Sequence, residues 1–339
     1  MSLRVKLSVF GVVLVASATG TAAFVVHTRQ ERERQVAAAP SVPVTDLTLV
    51  SQQARIIFRS TAIGDDYGRV AVVPLDDPDG ARAFTPARCD RVYSRQGEAV
   101  CLYSKAGFVT TYRAEVLDGS WAVRRDLPLS GVPSRTRLSP GGDWVATTTF
   151  VAGHAYTSPG EFSTETLVTP LAGGDSLNLE DDFTLLIDGK RNNSQDRNLW
   201  GVTFTGDGDQ FYATAASGDK TWLVRGSLKT RELVALREDA ECPSLSPDGT
   251  RIAFKTRNGQ AEGQWLIAVY DLATGRSTLL AEKRSVDDQI EWLDDDRVLY
   301  GMPRSGNGPS ASDVWTVPAD GSGSAALFIP DAWSPAVVR

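Results

Sequence analysis

Leu245-Ser246-Pro247-Asp248-Gly249-Thr250-Arg251-Ile252-Ala253-Phe254 is a turn signal that runs straight into an alternating strand. Proline pre-sets φ for the second position of a tight turn, aspartate closes such a turn through its side chain, and glycine accepts the positive φ that the exit often needs. Leu138-Ser139-Pro140-Gly141-Gly142-Asp143-Trp144-Val145-Ala146 and Phe204-Thr205-Gly206-Asp207-Gly208-Asp209-Gln210-Phe211-Tyr212-Ala213 repeat the pattern. A weaker copy lies at Trp292-Leu293-Asp294-Asp295-Asp296-Arg297-Val298-Leu299-Tyr300, and a shortened one at Ala332-Trp333-Ser334-Pro335-Ala336-Val337-Val338. Thr205, Ser246, Leu293 and Ser334 stand 41, 47 and 41 residues apart. A period of roughly 40 to 50 residues is that of one four-stranded propeller blade.

Within the clearest repeat, the strand at 252–255 is followed by Trp265-Leu266-Ile267-Ala268-Val269-Tyr270-Asp271, the turn Ala273-Thr274-Gly275-Arg276 and a further strand at 277–281. These read as strands two, three and four of a blade. The corner, its strand and the ending Tyr270-Asp271-Leu272-Ala273-Thr274-Gly275 resemble the repeat of TolB-like β-propellers. The resemblance covers residues 45–339, is strongest at 242–282 and is weak before Arg88. The same repeat builds the propeller domain of prolyl oligopeptidases, so the resemblance implies an architecture rather than an activity. More narrowly, the chain is similar to membrane-anchored TolB-like proteins of actinobacterial type, a likeness that brings no reaction with it.

Blades are expected at 47–84, 85–130, 131–182, 183–240, 241–283 and 284–330. The fold class is thus all-β, a six-bladed β-propeller of four-stranded blades. The first blade has no corner before Arg55-Ile56-Ile57-Phe58, and the last corner has no second strand after Val338. The C-terminal strand should therefore complete blade 1, closing the ring and removing two exposed edges.

Residues 7–26 carry no charge and are flanked by Arg4 and Lys6 on one side and His27 and Arg29 on the other. Twenty helical residues cross a bilayer. Small residues at Ala16-Ser17-Ala18 or Thr21-Ala22-Ala23 also suit signal-peptidase cleavage, so anchor and cleaved signal both stay open. No cysteine lies in this segment, which excludes the usual lipoprotein attachment. The chain divides into a membrane or signal segment (1–29), an Ala/Pro-rich linker (30–46) and the propeller (47–339). Of the three cysteines, Cys89 and Cys101 flank a hairpin loop at 94–98 and should lie nearly opposite one another, as a disulfide or as two buried thiols. Cys242 stays unpaired at the start of an inner strand. Together with an anchor, a disulfide puts the propeller outside the cytoplasm, tethered at the cell membrane by 7–26 or secreted if that segment is cleaved.

A formal charge of −7 with scattered basic residues argues against a nucleic-acid surface. The only histidines are His27 and His154, and no G-x-S-x-G elbow occurs. Two histidines and three scattered cysteines do not make a typical zinc site. Glu180-Asp181-Asp182, Asp207-Gly208-Asp209 and Asp294-Asp295-Asp296 lack calcium-loop spacing and mostly occupy corners. No cofactor, metal or catalytic residue is therefore expected, and the protein is not expected to be an enzyme. Length is concentrated in the two-to-three loops at 60–68, 152–162, 257–264 and 304–312, which share one face with the blade connections. That face supplies the expected ligand-binding set: Asp65, Asp66, Tyr67, His154, Tyr156, Phe162 and Arg304, joined by Arg284, Asp287 and Asp288. Trp144, Trp222, Trp265 and Trp315 are read as inter-blade packing. The expected function is a non-catalytic, membrane-anchored binding or scaffold propeller for an envelope protein, peptide or glycan. The alternative is a hydrolase or lyase with a central-channel site built on His154.

Overall fold

Each corner is held by its own polar side chains. Asp248 accepts from the Ser246 hydroxyl at 2.5 Å and from the Thr250 amide at 3.0 Å, while Gly249 takes φ 72°. A residue with a Cβ is strained at that φ, which is why glycine stands there. Asp207 and Ser139 perform the equivalent closure, accepting from the amides of Gln210 at 2.8 Å and Trp144 at 3.0 Å. Fixing the corner fixes the register of the strands on either side.

The computed structural model describes residues 2–38, 41–151, 163–304 and 311–339. Helix α1 (Leu3–Ala38) precedes a single turn, α2 (Leu47–Val50), capped by Asp46. Blade 1 contains β1 (Arg55–Ser60), β2 (Arg69–Pro74) and β3 (Ala83–Arg88). Blade 2 contains β4 (Arg91–Arg95), β5 (Glu98–Lys105), β6 (Thr111–Leu117) and β7 (Val123–Leu127). Blade 3 contains β8 (Val132–Leu138), β9 (Trp144–Val151), β10 (Ser163–Pro170) and the short β11 (Leu177–Asn178), followed by the turn α3 (Leu179–Asp182). A hairpin of β12 (Thr184–Ile187) and β13 (Lys190–Asn192) precedes blade 4, which is β14 (Asn198–Phe204), β15 (Gln210–Ser217), β16 (Lys220–Ser227) and β17 (Glu232–Glu238). Blade 5 is β18 (Glu241–Leu245), β19 (Arg251–Thr256), β20 (Leu266–Asp271) and β21 (Ser277–Leu279). Blade 6 is β22 (Glu291–Trp292), β23 (Arg297–Pro303), β24 (Ser312–Pro318) and β25 (Ala326–Ile329), and β26 (Ala332–Val338) ends the chain.

The ring closes as the sequence implies. β26 pairs antiparallel with β1, Arg55 opposite Val338 and Ser60 opposite Ala332, and becomes the innermost strand of blade 1. Blade 4 is wider than expected. The β12–β13 hairpin joins its outer edge, β12 running parallel to β17 with Leu185 opposite Leu233, so that this sheet has six strands. Burial is the reason: Phe183 and Leu185 pack with Leu233 and Phe211 in one apolar cluster, which a four-stranded blade would leave open to water.

The disulfide forms, but not across opposite strand positions. The hairpin turns at Gln96-Gly97, both with positive φ, which sets Val92 opposite Cys101 and leaves Cys89 in the connection before β4. The Cα atoms of Cys89 and Cys101 are 5.3 Å apart, and the bond ties the blade 1–2 connection to β5. Cys242 is buried and free. Within α1, residues 10–31 are long and apolar enough to cross a membrane, and the helix continues through residues 30–38, expected to be linker.

Candidate functional site

The inner strands of a propeller line its axis, so a charged side chain on them either faces a channel or bonds across it. Here they bond across it. Blades 3 and 6 face each other, and Arg137 of β8 reaches over to Glu291 of β22 at 2.7 Å and to the Ile290 carbonyl at 2.8 Å. Only 6% and 8% of these two side chains are exposed. Burial works against the Arg137 charge, but Tyr93 and Glu291 outweigh it and hold the guanidinium above its ordinary pKa. Burial and the Glu291 carboxylate push the Tyr93 hydroxyl upward. Gln289 adds a bond to the Thr136 carbonyl at 3.2 Å.

A second layer of charge lies towards the face that bears the blade connections. Arg91 at the head of β4 pairs with the fully buried Asp288 at 2.5 Å and stacks on Trp333. Asp288 also accepts the Gly301 amide at 2.8 Å. Asp287 meets Lys255 at 2.7 Å and Arg135 at 3.6 Å. The Asp287 side chain is 62% exposed; partial desolvation would raise its carboxyl, but Lys255, Arg135 and Arg91 hold it below its usual range. For Arg135, burial is outweighed by Cys242, Asp288 and Asp287, and its pKa stays above the ordinary value. Glu241 accepts from the Trp265 indole at 2.9 Å, so Trp265 belongs to this polar layer rather than to apolar inter-blade packing. On the side of the one-to-two corners the axis opens as a funnel of about 550 Å³, floored by Arg137, Glu291 and Trp292.

The expected ligand-binding residues are not all brought together. Asp287 and Asp288 join the axial charge layer. Arg284 pairs with Glu282 at 2.6 Å and stacks on Trp315 at 3.9 Å. Arg304 bridges Asp313 and Asp331, the latter at 2.8 Å, clamping blade 6 to the closing strand. Asp65, Asp66 and Tyr67 lie at the blade 1–2 boundary. Asp66 pairs with Arg69 at 2.6 Å, the Asp65 and Tyr67 carbonyls accept from Arg88, and the Arg59 guanidinium lies 4.9 Å over the Tyr67 ring. His154, Tyr156 and Phe162 fall outside the described residues. Among the described residues no group of three or more His, Cys, Asp or Glu is placed to hold a metal. Sequence reasoning missed Arg91, Arg135, Arg137, Lys255 and Glu291. The usable signal was charge at inner-strand positions that a closed apolar ring would not need, Arg135 and Arg137 alternating in β8 above all.

Fold and axis together define a six-bladed β-propeller whose channel is bridged by ion pairs. Neither a family model nor a curated protein matches the chain. Among solved structures it is similar to TolB from Acinetobacter baumannii, with 18% identity and a TM-score of 0.59, covering 84% of this chain and 67% of that one. A chain of the nidogen/laminin complex matches at 10% identity and TM-score 0.57, covering 84% and 98%. A puromycin-hydrolyzing peptidase of Mycobacterium tuberculosis matches at 16% identity and TM-score 0.50, covering 82% of this chain but 45% of the peptidase. At these identities the likeness is one of fold, and that fold serves binding proteins and peptidases alike.

Proposed function

We propose that this protein is a non-catalytic binding or scaffold propeller, held at the membrane by its N-terminal helix with the ring outside the cytoplasm. It engages an envelope protein, peptide or glycan through the face that carries the two-to-three loops and blade connections. One observation carries the reading: the acids and bases described along the axis are committed to one another. Arg91 with Asp288 and Arg137 with Glu291 are enclosed pairs, and Asp287, though 62% exposed, is held between Lys255 and Arg135. The apolar span of α1 supports the anchor, and the Cys89–Cys101 bond supports an oxidising compartment. The TolB and nidogen/laminin likenesses fit a binding role without naming a partner.

The test is photo-crosslinking in intact envelopes, with a crosslinking residue in place of Arg284 or Arg304 in the full chain. A discrete adduct from these positions, absent from control positions on the corner face such as Asp248, supports the reading. Adducts from the corner face alone overturn it. A hydrolytic activity of the purified chain that disappears in a folded His154→Ala variant replaces it with the channel-enzyme reading.

A further inference from the structure

On the outer flank of the ring, blades 1 and 2 part to leave a cleft of about 670 Å³, separate from the axis. Its geometry follows from strand alternation. Cys101, Tyr103 and Lys105 of β5 lie on one face of blade 2 with Glu115 and Leu117 of β6, and the cleft opens between that face and residues 86–90, at the end of β3 and in the blade 1–2 connection. The floor is apolar, formed by Ala87, Leu117, Val123 and Trp121, the last held at φ 67° by the turn its amide closes on the Asp118 carbonyl. Large residues adopt that backbone region at a cost, and here the result is an indole laid against the cleft.

The rim is cationic. Arg88 donates to two carbonyls and to no carboxylate, and the Lys105 ammonium has no partner among the described residues. Arg59, 3.7 Å from Asp90, keeps a buried Nε without a hydrogen-bond partner among the described residues. Against these three cations stand Asp90 and Glu115, which accept from the Ser104 amide and the Tyr103 hydroxyl. Beyond Lys105 and Ala106, the β5–β6 turn holds Phe108 and Val109 out in water. An apolar floor, a cationic rim and an apolar tip thus follow one another.

We propose that this cleft docks an extended peptide segment of a partner protein, an aromatic or aliphatic side chain filling the floor and a neighbouring acidic residue meeting Arg88 and Lys105. Charge complementarity selects the acidic neighbour. The carboxylates of Asp90 and Glu115 can take backbone N–H groups, which a peptide has and a lipid chain lacks. The cleft meets the loop-rich face at Tyr67 and Gly68, but its floor reaches the β6–β7 turn at Leu117, Trp121 and Val123, and it is tested there, apart from Arg284 and Arg304.

The test uses the full chain in lipid nanodiscs and a dye-labelled hexapeptide containing one phenylalanine followed by two glutamates, read by fluorescence anisotropy. Binding is expected, weakened at least about fivefold when the glutamates become glutamines, in line with about 1 kcal/mol for a rim charge pair. Lys105→Glu and Val123→Asp, both at exposed positions and checked for unchanged melting, each lower affinity about tenfold or more. Arg304→Ala, on blade 6, leaves affinity unchanged even if it abolishes partner crosslinking at the loop-rich face. The proposal is overturned if neither peptide binds at millimolar concentration, if both bind equally, or if the cleft variants bind as the parent does. It is also overturned if phosphatidylglycerol vesicles displace the peptide, which would make the cleft a lipid site.

Discussion

Replacing Glu291 by glutamine keeps the shape and an oxygen for its neighbours but leaves the Arg137 charge buried without its counter-ion. The two groups are 2.7 Å apart and almost fully enclosed. At that separation the attraction is about 1.5 kcal/mol in bulk water and about 6 kcal/mol at an effective dielectric of about 20. Desolvation consumes part of the larger figure, and removing one member of a buried pair typically costs about 3–5 kcal/mol. For a ring of this size that corresponds to a fall in Tm of roughly 6–10 °C, at roughly 2 °C per kcal/mol. The assay is urea and thermal unfolding of Glu291→Gln, of Arg137→Met and of the double variant. The double variant should recover at least about 2 kcal/mol of the summed single losses, since it removes the stranded charge. A loss below about 1 kcal/mol in Glu291→Gln, the range of a solvated pair, would mean that the axis is a water-filled channel and that the bridging described above is wrong.

Truncation after Pro330 removes β26 and unpairs β1, so the shortened chain should aggregate or unfold without cooperativity; melting within a degree or two of the parent would contradict closure by that strand. Replacing Cys89 and Cys101 by serine should lower stability by roughly 2–3 kcal/mol while the ring persists, and non-reducing peptide mapping should find one linked pair with Cys242 free. Glu282 is a third case. Burial would raise its carboxyl, but hydrogen bonds from Arg284 and Tyr300 bring it down to about 2. With the folded-state pKa depressed from the ordinary 4.5, the stabilisation is present above that pH and is lost as pH falls towards about 2. Tyr300→Phe removes the 2.6 Å bond to Glu282 and should move the acid limb of urea melts between pH 2 and 6 to higher pH. An unchanged acid limb would remove Tyr300 from the account.

The blade count and the closure were legible because they rest on local chemistry. A Ser-Pro-Asp-Gly corner makes the same hydrogen bonds wherever it occurs, and its spacing reports the ring. The β12–β13 hairpin was not legible, since its place is set by a parallel pairing to β17 and by burial against Phe211, neither of which leaves a local pattern. The cysteine pair was read correctly from proximity in sequence, but the hairpin centre was misplaced because the two-residue turn at Gln96-Gly97 could not be told from a longer loop. Candidate site residues fared unevenly for a related reason. Loop length marks which segments are free to recognise something, whereas the axial pairs join residues such as Arg137 and Glu291 that only a closed ring makes neighbours.

The order in which the ring can be assembled follows from the pairing of β26 with β1. The first strand of the propeller to be synthesised is the last to receive its inner neighbour, which comes from the end of the chain. Until then the edge of β1 stays open while five later blades accumulate beside it, a long interval in which Ile56, Ile57 and Phe58 lack part of their cover. Non-local closure of this kind is slow and prone to aggregation. A nascent chain of this protein therefore carries β1 as an unpaired edge until the residues of β26 have been made.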